Sequence, residues 1–190
     1  SMVMEVSSQA LKYQRVENLP FDVACFLNIG RDHISPIEHP TFEDYFESKL
    51  RIFDQAKTAV VNLGTDEVDR VLEAASTAER LVTVGVEHPE ASLWASDVRM
   101  LGFNIEFNLH GMSADEPEAG EKVLLGIAGD FNVENALVAI AAAREIGIGI
   151  EAIKKGLSKL RVPGRMEVVE SKDGRVICVV DYAHNQLSFR

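Results

Sequence analysis

Phe21-Asp-Val-Ala-Cys-Phe-Leu-Asn-Ile29 (FDVACFLNI) is the stretch on which the fold turns. A continuous apolar run of this kind predicts a strand covered on both faces, as in a parallel sheet. Further along, Thr41-x-x-Asp44 resembles a capping box, with Phe42, Tyr45, Phe46, Leu50 and Phe53 following at helical spacing. Ala59 to Leu63 and Leu81 to Val86 read as two more apolar strands, with a helix over Glu67 to Ala78 between them. Strand, helix, strand, helix, strand with short connections specifies an α/β fold whose parallel sheet is built by right-handed crossovers.

The pattern changes after Ser92. Phe103-Asn-Ile-Glu-Phe-Asn-Leu109 alternates strictly, which predicts a half-exposed antiparallel strand. Ser113 to Glu121, with Pro117 and Gly120, reads as a hairpin tip, and Lys122 to Ala128 as the returning strand. Two helices are expected over Asn132 to Ile146 and Ile150 to Leu160, with Gly147 stopping the first. Val162-Pro-Gly164 is a break and a candidate linker. Past it, Met166 to Glu170 and Arg175 to Val180 read as strands joined by a turn at Lys172-Asp-Gly174.

Bulk properties narrow the function. At 190 residues the chain suits one large domain, or one domain and part of another. A formal net charge of −11 argues against broad nucleic-acid binding, though local cations and backbone amides can still hold a small anion. No apolar run is long enough to span a bilayer, and no cationic, apolar leader opens the chain. Cys25 and Cys178 both lie in apolar runs and read as buried thiols of a reducing, cytoplasmic protein.

Several polar residues admit both a structural and a chemical reading. Asn28-Ile-Gly-Arg-Asp-His33 closes an apolar strand at its carboxyl end, where ligands bind in open sheets. His33 there is either part of a polar turn or a metal ligand oriented by Asp32. Lys49 is either a solvated helix charge or an amine that captures carbon dioxide as a carbamate, an anionic oxygen ligand. Asn132 and Asn135, one turn apart, suit a helix cap or the edge of a nucleobase. Glu5, beside two serines, is an unremarkable surface acid or a hard oxygen ligand for magnesium. Arg165 suits an interdomain salt bridge or a phosphate clamp. Asp181, at the end of a strand, suits a cap or a ribose contact. His39 and His88 show no partner at useful spacing and are expected at the surface or in turns.

The order of these pieces is more specific than any one of them. Glu-Val-Ser-Ser (5–8), Asn-x-x-x-Asp-His (28–33), Tyr-x-x-x-Lys (45–49), Phe-Asn-x-x-Asn-Ala-Leu (131–137), Pro-Gly-Arg-Met-Glu (163–167) and Val-Asp-Tyr-Ala-His (180–184) occur in sequence. In this the chain resembles the Mur ligases of peptidoglycan synthesis over nearly its whole length, most of all those that add the third residue of the stem peptide. The resemblance implies a Mur ligase central domain over residues 1–161, with a parallel sheet flanked by helices and a small antiparallel subdomain. Residues 162–190 would then be a hinge and the start of a C-terminal domain. It implies ATP and two magnesium ions as cofactors, a UDP-muramoyl peptide and an amino acid as substrates, and no nucleic-acid or membrane partner.

Residue by residue, the resemblance implies that Glu5 binds one magnesium, and that His33 and a carbamylated Lys49 bind another. Ser7 and Arg15 match positions contacting the UDP-muramoyl peptide. Asn132 and Asn135 match ATP contacts, which Arg165 and Asp181 would complete; Lys49 and Arg165 would act in the chemistry. His184 belongs to the same motif without an assigned role. Three stretches depart from the family pattern: Gln9, the long Ser35-to-Pro40 segment, and Asn185-Gln186. They put the acceptor peptide in question. No Gly-x-x-x-x-Gly-Lys-Ser/Thr phosphate loop occurs, so the chain is expected to be the middle of a larger enzyme and inactive alone. The alternatives are a ligase of the folylpolyglutamate, cyanophycin or poly-γ-glutamate type, or a non-catalytic binding paralogue.

Overall fold

The computed structural model describes residues 2–30, 34–111 and 120–183. The chain forms two compact units, Ser1–Thr83 and Val84–Arg190.

In the first unit the apolar run becomes β1 (Phe21–Phe26), shorter than expected because Leu27–Ile29 leave the strand. It pairs in parallel with β2 (Ala56–Asn62), in register from Phe21 opposite Ala56 to Phe26 opposite Val61. Before β1 lies a short helix, α1 (Ser8–Lys12), whose cap is Ser7: its hydroxyl accepts the Ala10 amide at 3.1 Å. Between the strands runs α2 (Phe42–Leu50), continued by a 3-10 turn over Arg51–Gln55. Thr41 caps it as the sequence predicts, accepting the Asp44 amide at 3.1 Å. Helix α3 (Val68–Ala75) follows β2. Phe26, Phe46, Phe53, Val61 and Val71 close the core, all nearly free of solvent contact. Burying each such side chain contributes roughly 1.5–3 kcal/mol.

Strand β3 (Arg80–Val86) straddles the boundary between the units. It is followed by β4 (Leu93–Leu101), β5 (Asn104–His110) and β6 (Glu121–Leu125), and the six strands lie in the order β1-β2-β3-β4-β5-β6. β4 runs parallel to β3, although only residues 87–92 separate them. Parallel neighbours ordinarily need a crossover of a dozen or more residues. Here the reversal is held by a turn from the Ala91 amide to the His88 carbonyl (2.9 Å) and by the Glu87 amide on the Ala95 carbonyl (2.8 Å). β4–β5 and β5–β6 are antiparallel, so the antiparallel strands extend the same sheet. The alternation predicted for β5 is observed: Ile105, Phe107 and Leu109 are fully buried and the residues between them partly exposed.

Helix α4 (Phe131–Glu145) packs on β4 and α5 (Ile150–Ser158) on β6. Gly147, at φ 83°, ends the first of them, with its amide on the Arg144 carbonyl at 2.9 Å. After α5 the Arg161 guanidinium donates to the carbonyls of Gly126 and Leu160, tying the linker to the loop after β6. A Cβ on Gly126 would lie 2.5 Å from that guanidinium and 2.7 Å from the Ser158 carbonyl, so only glycine fits. The last strands, β7 (Glu167–Glu170) and β8 (Ile177–Val180), form a separate antiparallel pair. All of β8 is exposed, including Cys178, which is therefore not the buried thiol expected from its apolar neighbours. Among the described residues no helix is long and apolar enough to cross a membrane.

Candidate functional site

The candidate residues fall into two groups, one in each compact unit. In the first unit Lys49 projects from the last turn of α2 and is only partly exposed. Its ammonium donates to the Asn28 carbonyl at 3.3 Å and lies 5.4 Å from the Phe26 ring and 5.5 Å from the Tyr45 ring. Burial between these groups pushes the Lys49 pKa below its ordinary value, and the Glu5 carboxylate opposes that shift. The Glu5 carboxylate therefore acts on Lys49 although 44 residues of sequence separate them. Glu5 itself is exposed and lies in the extended segment before α1. His33 lies outside the described residues, as does His184. Among the described residues no three His, Cys, Asp or Glu side chains form a ready metal cluster. An ammonium cannot ligate a cation, so Lys49 fits a magnesium site only as an anionic derivative.

Ser7, exposed, caps α1. Arg15, also exposed, lies just beyond that helix with its guanidinium 5.6 Å from the Tyr13 ring.

The structure also reveals a residue that the sequence places in a surface turn. His39 is completely buried. Its Nδ1 is 2.6 Å from Asp44 Oδ2 and its Nε2 2.9 Å from Ser8 Oγ, with the Tyr45 ring centred 5.3 Å away. The Lys12 ammonium reaches the same Asp44 oxygen at 2.6 Å and holds this carboxylate below its ordinary pKa, with His39 the second cause. No spacing rule announces this cluster, because its members come from α1, the loop between β1 and α2, and α2 itself.

In the second unit Asn132 and Asn135 meet at the head of α4, where Asn135 Nδ2 donates to Asn132 Oδ1 at 3.2 Å. Asn132 is not the cap that its position suggests: Asp130 holds that place, and Asn132 Nδ2 turns back to the Ala128 carbonyl at 2.6 Å. This fixes which way both amides face. At the linker the Arg165 amide bonds the Val162 carbonyl at 3.0 Å, and its guanidinium stacks 5.3 Å from the Tyr182 ring. Asp181 accepts the Met166 amide at 2.8 Å, joining the end of β8 to the linker. Arg165 also lines a cavity of 660 Å³ with Phe103, Asn104, Arg161, Pro163 and Met166, a volume suited to a small ligand. Asn132, Asn135 and Asp181 are not part of its lining.

The fold is that of an α/β protein whose candidate residues are spread along the chain in ordered motifs. Residues 1–143 match the family model of the Mur ligase middle domain, and the chain belongs to that family. It is 41% identical over its full length to the UDP-N-acetylmuramoyl-L-alanyl-D-glutamate--L-lysine ligase of Streptococcus sanguinis, and spans 36% of that protein. It is 40% identical over 98% of its length to the UDP-N-acetylmuramyl-tripeptide synthetase of Bifidobacterium longum, of which it spans 37%. The solved structure of a UDP-N-acetylmuramoyl-L-alanyl-D-glutamate--2,6-diaminopimelate ligase superimposes on 96% of the chain with a TM-score of 0.79 at 29% identity, and the match covers 37% of that structure.

Proposed function

We propose that the chain is the central part of an ATP-dependent, cytoplasmic ligase that adds an amino acid to a UDP-N-acetylmuramoyl dipeptide during peptidoglycan synthesis. Residues 1–161 belong to its central domain, and residues 162–190 are a hinge and the start of the next domain. The substrate carboxylate attacks the γ-phosphate of ATP to give an acyl phosphate and ADP. The incoming amine then attacks the acyl carbon, phosphate leaves, and an amide remains.

The observation that carries this reading is the environment of Lys49. An amine whose pKa is lowered by burial holds more of its neutral form near pH 8, and only that form attacks carbon dioxide. The carbamate so formed, after loss of a proton, is an anionic oxygen donor that would hold one magnesium ion together with His33, while Glu5 would hold the other. Magnesium, when bound, neutralises crowded phosphate oxygens. Asn132 and Asn135 orient the nucleotide through their fixed amides, Arg165 offsets phosphoryl charge, and Asp181 accepts ribose hydroxyls. Ser7 and Arg15 hold the muramoyl peptide. The net charge of −11 and the absence of a phosphate loop fit a small-molecule enzyme whose β- and γ-phosphate cradle is outside this sequence. The 190-residue chain alone is therefore expected to be inactive.

The test is phosphate release by the full-length protein with ATP, magnesium and the UDP-linked dipeptide, with L-lysine and diaminopimelate supplied in turn. One of the two should support turnover. Lys49→Ala should lower kcat by about a hundredfold or more, and Lys49→Arg should not restore it, because a guanidinium forms no carbamate. Full activity in Lys49→Ala would remove the basis of this reading.

A further inference from the structure

The buried cluster around His39 has the connectivity of a Ser-His-Asp triad: Ser8 Oγ to Nε2 at 2.9 Å and Nδ1 to Asp44 Oδ2 at 2.6 Å. Its burial argues for a different task. His39 is inaccessible and Ser8 only 9% exposed, so no substrate carbonyl can reach the hydroxyl. Both imidazole nitrogens are already engaged. A neutral ring satisfies both contacts, with Nδ1–H donating to the Asp44 carboxylate and Nε2 accepting the Ser8 hydroxyl.

The partners show what the ring connects. Ser8 opens α1, directly after Ser7 and three residues after Glu5. Asp44 lies in the first turn of α2, the helix whose last turn carries Lys49. The remaining contacts strengthen the same link. Lys12, in the last turn of α1, reaches Asp44 Oδ2 at 2.6 Å and the Glu38 carbonyl at 3.3 Å. The loop carrying His39 is closed on itself by the Ser35 amide on the His39 carbonyl at 2.9 Å and by the Glu38 amide on Ser35 Oγ at 3.1 Å. At the far end of α2 the Lys49 amine feels the Glu5 carboxylate. Glu5 itself lies in an exposed segment without regular structure, and needs such an anchor to keep its place.

We propose that His39 is a positioning residue that clamps the Glu5–Ser7 segment to α2 and thereby holds Glu5, the ligand of one divalent cation, in place relative to Lys49, a ligand of the other. The inference rests on the metal-binding role proposed above for Glu5 and Lys49. Groups that orient metal ligands are worth tenfold or more in affinity, and the His39 clamp acts in that way.

The experiment compares wild-type full-length protein with Ser8→Ala, His39→Asn and His39→Gln. Bound Mn²⁺ is measured by electron paramagnetic resonance, and the Mg²⁺ dependence and ATP KM of turnover are measured alongside. Ser8→Ala cuts one arm of the clamp and leaves the His39–Asp44 pair in place, so it tests the link without emptying the core. Asn reaches only the Asp44 side, whereas Gln places an amide near the position of Nε2. Ser8→Ala and His39→Asn should weaken Mn²⁺ binding and raise the Mg²⁺ half-saturation by about tenfold, with His39→Gln closer to wild type. The ATP KM at saturating Mg²⁺ should stay within about twofold, a split that general loosening of the fold would not give. Unchanged Mn²⁺ affinity in both Ser8→Ala and His39→Asn, or no Mn²⁺ bound by the wild type, overturns the clamp. Because Mn²⁺ binding is read without turnover, a protein that shows the Mn²⁺ difference yet never ligates would overturn the ligase reading and support the clamp.

Discussion

The strands of the first unit and the hairpin β7–β8 are written in similar apolar residues but differ sharply in burial. Val60 and Val61 of β2 have no solvent contact, whereas Val179 and Val180 of β8 are 49% and 46% exposed. The cysteines repeat the contrast: Cys25 in β1 is largely covered and Cys178 in β8 is open. An apolar run therefore states that a strand can be covered on both faces, while the elements folded around it decide whether it is. In the first unit α2, its 3-10 extension and α3 surround the strands with Phe46, Phe53 and Val71. Around β8 no such layer exists among the described residues.

Stability should show the largest difference. Phe46→Ala removes a side chain with no solvent contact and should cost about 3–5 kcal/mol in denaturant unfolding of the 190-residue chain. Val179→Ala should change stability by less than about 0.5 kcal/mol. Similar losses at the two positions would break the contrast.

Thiol chemistry sharpens it next. Burial raises the Cys25 pKa to about 11, so its thiolate is scarce at pH 8. A disulfide reagent should modify one thiol quickly, Cys178, and the other about a hundredfold more slowly, as judged by mass mapping of the labelled peptides. Equal rates would show that β1 opens as readily as the hairpin.

The smallest effect concerns acid. The Lys12 hydrogen bond, with His39 second, lowers the pKa of Asp44 below 3.8. Its stabilising contribution is therefore complete above pH 3.8 and is lost as pH falls through the lower folded value. Lys12→Met removes the main cause and should move the acid-unfolding midpoint upward by a few tenths of a pH unit, a shift visible by circular dichroism. No shift would mean that the α1–α2 contact carries little of the unit's acid stability.

Much of the fold can be read from residue order. The apolar runs of β1, β2 and β3, the Thr41 cap of α2, the alternation of β5 and the Gly147 stop are local signals, and each has its counterpart in the structure. β4 is hidden because its register shifts between Ser96 and Arg99, with Asp97 at φ 52°, which breaks the alternation a reader would count. Its parallel pairing after so short a connection has no sequence signal. At the candidate site the Asn132–Asn135 pair follows from helical spacing. The shifted Lys49 amine and the burial of His39 do not, because both depend on rings and carboxylates supplied by other elements.

The guanidinium of Arg161, fastened to the Gly126 carbonyl, has a consequence for motion. It nails down the root of the connecting strap, so a swing of the terminal hairpin must take its fulcrum after that nail. The backbone turns immediately afterwards, where Gly164 and Met166 adopt positive φ values of 71° and 45°. The lever is consequently short, and Asp181, fastened to the Met166 amide at 2.8 Å, stays beside its pivot while the far turn of the hairpin travels furthest.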